Sequence, residues 1–122
     1  MILVKFGGTS VGDTAAIERL AEVVRSKLPR RPIVVVSAMG GATNALIAIA
    51  EQAADGQLIS AIRGVEALRE RHLTTAEQLL GNVPQAHDLM AELSATFDEH
   101  YIHGIICVRT WSLSLLSQFR RQ

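Results

Sequence analysis

ILVKFGGTS, residues 2–10, is a β-branched and aromatic run that stops at a pair of glycines, and PIVVVSAMGG, residues 32–41, repeats the pattern. Runs of this kind read as strands feeding tight turns. The second is apolar on both faces, as a parallel strand flanked by helices is. Between them lies a helix: Asp13 is placed to cap it, and Ile17, Leu20, Ala21, Val24 and Leu28 recur at helical spacing on one face. Pro29 and Pro32 bracket its end. Strand, helix, strand makes a βαβ unit with a right-handed crossover, and the chain belongs to the α/β class. Lys5 is the anomaly, a charge inside an otherwise apolar strand.

After Thr43 the pattern becomes helical. One helix is expected over residues 44–54, ended by Asp55 and Gly56, and a second over 58–80, stopped by GNVP. A third begins near Pro84, a residue suited to a first helical turn, and carries Leu89, Leu93, Phe97 and Tyr101 at steps of four. By residue count the chain is mostly helical. Two parallel strands with several amphipathic helices leave sheet edges and apolar faces uncovered, so the pattern is that of the opening portion of a larger α/β domain.

Composition narrows the function. With 122 residues, 48% of them hydrophobic, there is enough apolar material for a core. Twelve basic side chains balance twelve acidic ones, so no bulk field draws nucleic acid or an anionic membrane. One cysteine, Cys107, cannot staple a fold, and no basic leader or long apolar span precedes Lys5. A cytoplasmic, reducing setting is expected.

In a parallel sheet, turns that follow strands lie at the carboxyl edge, where ligands bind. Gly7 and Gly8 let backbone approach a ligand closely, and successive N–H groups at a helix entrance favour phosphate oxygens. The Lys5 ammonium stands one residue before them, placed to neutralise a phosphoryl group in transfer. This is not a Walker loop, whose lysine follows its second glycine.

Together, VKFGGTSVGD (residues 4–13) and VVVSAMGGATNALIAIAE (residues 34–51) resemble the aspartokinase branch of the amino acid kinase family, with its K-F-G-G-T-S signature followed by S-A-x-x-G-x-T-N. The helical stretch after Thr43, ending in HYIHGI, is similar to the insertion of the longer-form enzymes. The resemblance implies a carbamate kinase-like three-layer αβα fold, of which this chain would hold the first βαβ unit and a helical insertion. It implies that Lys5 contacts the transferring phosphoryl group and that Gly7, Gly8, Thr9 and Ser10 line the ATP phosphates. Ser37 and Thr43 would hold L-aspartate, in a loop shaped by Gly40 and Gly41. ATP is the implied co-substrate, with Mg²⁺, and a homo-oligomer is expected.

Past residue 106 the resemblance stops. The family continues to S-x-G-E, whose glutamate grips the substrate ammonium; here the chain reads CVRTWSLSLLSQFRRQ, with Phe119 and Arg120 in place of glycine and glutamate after Ser117. Residues 1–99 hold nine basic and twelve acidic groups, and residues 100–122 three arginines and no acid. We therefore expect residues 1–106 to be the amino-terminal part of a kinase domain and residues 107–122 a divergent helical tail, with Val108, Trp111, Leu115 and Phe119 on one face. A truncated or frame-shifted chain, inactive alone, is the expectation. The alternatives are a non-catalytic remnant that self-associates or docks on another protein, and an amino acid kinase acting on glutamate or a nucleotide monophosphate. Two further groups carry no assigned chemistry. His100, His103 and Cys107 have helical spacing but no evident fourth ligand, and Glu66, Arg69, Glu70 and Arg71 read as a solvated helix face with helix-spaced pairs.

Overall fold

A computed structural model describes residues 1–81, 83–101 and 103–105. The elements run β1 (Ile2–Phe6), α1 (Thr14–Lys27), β2 (Pro32–Val36), α2 (Ala42–Ala54), α3 (Leu58–Leu80) and α4 (Pro84–Thr96). A 3₁₀ turn, Gly8–Val11, precedes α1; another, Leu28–Arg30, follows it; and a π-helical turn, Phe97–Tyr101, extends α4. Contacts divide the chain into two compact units, residues 1–43 and 44–122. The expected helical tail, with Val108, Trp111, Leu115 and Phe119, lies outside the described residues, as does Cys107.

In the first unit β1 and β2 pair in parallel, Ile2 opposite Pro32 and Phe6 opposite Val36. Alternation along each strand sorts the side chains. Val4, Phe6 and Val34 are half-buried, and Phe6 shares a groove with Ala16, Leu20 and Val23 of α1. Leu3, Ile33 and Val35 share the other face and stay exposed, at 69%, 49% and 45%. Among the described residues each strand keeps an unpaired outer edge. The uncovered sheet expected from the pattern is therefore present.

Asp13 caps α1 as expected, its Oδ1 accepting the Ala16 N–H at 2.7 Å. The apolar stripe is narrower than the spacing predicts. Ile17, Leu20 and Val24 are half-buried, Ala16 is buried, and Ala21 and Leu28 are exposed. Leu28 has already left the α-helical period for the 3₁₀ turn beside Pro29. Losing a capping oxygen leaves a first-turn N–H unsatisfied, so Asp13→Ala is expected to destabilise the chain by about 1 kcal/mol. The loss should appear as a lower urea midpoint by circular dichroism, with Asp13→Asn close to the parent.

The second unit is helical. Gly56, at φ 83°, ends α2 by donating its N–H to the Ala53 carbonyl at 3.1 Å. Pro84 stands in the first turn of α4, where its missing N–H costs nothing. The core is built from Ile49, Ala53, Ala61, Val65, Leu68, Ala86 and Phe97. One detail corrects the spacing argument for α4. Leu89 is 40% exposed, while Ala86 is buried and Met90 and Leu93 are half-buried. Strict steps of four drift off a face whose true period is 3.6 residues, so the buried row runs 86, 90, 93, 97. The side chain of Tyr101, the last member of the expected row, lies outside the described residues.

Candidate phosphate and carboxylate turns

Parallel pairing brings the carboxyl ends of β1 and β2 out side by side, with Lys5 opposite Val35. The ladder extends one residue further, the Ser37 N–H donating to the Phe6 carbonyl at 3.0 Å. From there both chains turn at once. Gly7 is extended, at φ −82° and ψ 178°, and the Gly8–Val11 turn closes on it through the Ser10 N–H and the Gly7 carbonyl at 3.0 Å. In the second turn the Ala42 N–H donates to the Met39 carbonyl at 2.9 Å, with Gly41 at φ 81°. That left-handed conformation is one that glycine adopts without strain.

The two turns touch through backbone. A Cβ built on Gly40 would stand 3.1 Å from the Gly8 carbonyl oxygen and 3.2 Å from the Gly12 Cα. One built on Gly8 would stand 3.8 Å from both the Ala38 oxygen and the Gly40 Cα. Gly12 did not stand out in the sequence. A glycine four residues past a double glycine gives no signal until a second turn is seen packed on it.

Lys5, Thr9, Ser37, Gly41 and Thr43 are exposed, and Gly7, Gly8, Ser10 and Gly40 half-buried. All nine belong to the first unit. Lys5 shares the exposed sheet face with Leu3, Ile33 and Val35, while Thr9 and Ser10 line a groove of about 290 Å³ on the α1 side with Phe6, Arg19 and Leu20. No described residue forms an ion pair with Lys5. The nearest acid in sequence, Asp13, is committed to the helix cap. Two hydroxyls and turn N–H groups thus offer anion-binding donors on the α1 side of the strand end, and Lys5 brings a cation to the other face of the same strand.

The charge cluster on α3 differs in part from its sequence reading. The helix-spaced pair is present, Arg69 Nη1 lying 3.8 Å from Glu66 Oε2. Arg69 also leaves its own helix: Nη1 is 3.2 Å from Asp98 Oδ1, and Nη2 donates to Ser94 Oγ. It is only 25% exposed, so it ties α3 to α4 and the turn beyond rather than lying on a solvated face. Ser94 lies 25 residues away and Asp98 further still, beyond the reach of any helical spacing rule. As for the histidines, His103 Nδ1 donates to the Glu99 carbonyl at 2.8 Å, a carbonyl being able only to accept. Among the described residues no three His, Cys, Asp or Glu side chains gather as a metal site.

The model of the amino acid kinase family matches residues 1–110. Lysine-sensitive aspartokinase 3 of Escherichia coli is 43% identical over 116 residues, covering 85% of this chain and 26% of the relative. The chloroplastic bifunctional aspartokinase/homoserine dehydrogenase 2 of Arabidopsis thaliana is 34% identical over 108 residues, 82% of this chain and 12% of the relative. An aspartokinase of Pseudomonas aeruginosa is 50% identical over 54 residues, 43% of this chain and 13% of the relative. The chain thus spans about a quarter of the length of these relatives or less.

Proposed function

The chain belongs to the amino acid kinase family, and from that premise we propose that residues 1–106 are the amino-terminal, phosphate-handling part of an aspartate kinase. The observation that carries the reading is the meeting of two strand-terminal glycine turns at the carboxyl end of the strand that carries Lys5, a side chain with no ion-pair partner among the described residues. In the proposed reaction an oxygen of the L-aspartate side-chain carboxylate attacks the γ-phosphorus of ATP. The bond from that phosphorus to the β,γ-bridging oxygen breaks, giving 4-phospho-L-aspartate and ADP. A carboxylate of reference pKa about 3.9 is already ionised at neutral pH, so no general base is needed. Positioning and charge neutralisation are the whole task.

Lys5 balances the charge on the transferring group, and Gly7, Gly8, Thr9 and Ser10 offer N–H and hydroxyl donors to the phosphates. Ser37 and Thr43, held apart by the turn at Gly40 and Gly41, orient aspartate. Mg²⁺ suits this surface as part of the nucleotide complex, since the turns bring no free carboxylate to hold a resident ion. The product would enter the synthesis of lysine, threonine, methionine and isoleucine, in the cytoplasm, with the working enzyme a homo-oligomer.

Among the described residues, no carboxylate stands at either turn to grip the substrate ammonium. The 122 residues alone are therefore expected to bind ATP without turning it over. Grafting residues 1–105 in place of the matching segment of the E. coli relative should restore aspartate-dependent hydroxamate formation. A folded chimera that is silent with aspartate, or prefers glutamate, would refute the assignment. A second reading, a self-associating remnant, draws on the exposed face of Leu3, Ile33 and Val35. It is favoured if the chain sediments as an oligomer and ATP leaves its spectra unchanged.

A further inference from the structure

We propose that Gly40, in the loop assigned to aspartate, is a positioning residue for the phosphate turn of β1, so that the two substrate loops hold one another in place. The inference rests on the reading above and extends it to a residue outside the phosphate turn itself. Its basis is steric. No left-handed φ demands glycine at 40, in contrast to Gly41 at φ 81°. What demands glycine is proximity, because an added Cβ would meet the Gly8 carbonyl oxygen at 3.1 Å and the Gly12 Cα at 3.2 Å. Both contacts are tighter than ordinary van der Waals separation, and both neighbours are backbone, which cannot rotate aside as a side chain does. Gly8 opens the 3₁₀ turn, and Gly12 closes the segment that leads to the Asp13 cap. Pushing on these two glycines displaces the N–H groups between them.

The consequence is specific. Gly40→Ala moves the phosphate turn by a few tenths of an ångström while leaving the β1–β2 ladder in place, and misplaced donors lose their ligand. ATP affinity is expected to fall at least about tenfold.

Amide NMR spectra of the parent chain and Gly40→Ala, recorded without ligand, test the coupling directly. The expected result is displacement of the Gly8, Thr9, Ser10 and Val11 amides with those of Val4 and Val34 unmoved, a pattern that general loss of structure would not produce. Unmoved amides at residues 8–11 would overturn the proposal whatever ATP does. Should Gly40→Ala not fold, titrating the parent with ATP gives the second measurement: signals at Gly40 and Gly41 shifting along with those at residues 8–11 support the coupling, and shifts confined to residues 8–11 refute it. If ATP moves no signal at all, the phosphate reading falls, and the ligand-free comparison still decides whether Gly40 sets the turn.

Discussion

A Lys5→Met chain is expected to bind ATP about ten- to a hundredfold more weakly, the scale of one lost hydrogen bond to a charged group. In the chimeric kinase it should turn over about a hundred- to a thousandfold more slowly, since a preorganised charge is worth most where charge develops. The fold should survive. Lys5 is exposed and has no ion-pair partner among the described residues, and methionine keeps an unbranched stem of similar length beside Val35. Circular dichroism and the urea midpoint are the checks on that point. Lys5→Arg separates charge from shape: it restores the positive charge but spreads it over a planar fork, so partial recovery of affinity with poor turnover is expected. Added salt should weaken ATP binding by the parent chain more than by Lys5→Met, because the exposed ammonium is open to screening. If the lysine only carries its charge to solvent from an edge strand, Lys5→Met will keep more than half of the turnover, and the catalytic assignment fails.

Local rules read correctly wherever one residue decides the geometry. Asp13 has a cap to offer and an N–H waiting three residues on; Gly56, Gly81 and Pro84 stop or start helices by what their own backbone permits. Residues 58–80 were legible as a helix for that reason, with a breaker at each end. Helix α2 starts at Ala42, two residues before the Asn44 that the sequence pattern predicts, because Thr43 reads as loop until Ala42 is seen closing the turn on Met39. What stayed hidden was set by distance along the chain. Leu89 reads as core because it is large, yet it is Ala86 that is buried and Leu89 that is exposed. Arg69 looked solvated because Asp98 and Ser94 belong to other elements. The contact of Gly40 with Gly8 and Gly12 spans about thirty residues between atoms that carry no side chain, so no pattern of residue types records it. The strand ends and their glycines could be read from sequence; the way one turn seats the other could not.

Phe97→Ala is expected to cost about 3–5 kcal/mol, the range for truncating a buried aromatic ring. Phe97 is 5% exposed, at the junction of α4 and the π-helical turn, with its ring centroid 5.4 Å from that of His72 on α3. Removing it loses the apolar burial and the ring pair, which alone is worth about 0.5–1.5 kcal/mol. The competing candidate for what holds α4 to α3 is Arg69. Its Asp98 partner is 60% exposed, and ion pairs of that kind contribute roughly 0–1 kcal/mol. One feature raises its cost of removal little: Nε is buried with no partner among the described residues, so the guanidinium is desolvated without full return. Burial therefore outweighs charge at this junction, and Arg69→Met should lower stability by much less than Phe97→Ala. Urea unfolding of the two variants, with Phe97→Leu falling between Phe97→Ala and the parent, gives the order. Typical domains have only about 5–15 kcal/mol in hand, so Phe97→Ala should also free α4 to exchange its amides long before those of α3. Were Arg69→Met the more damaging change, the junction would be held by its polar tie, and the buried row from Ala86 to Phe97 would be packing that follows helix pairing instead of causing it.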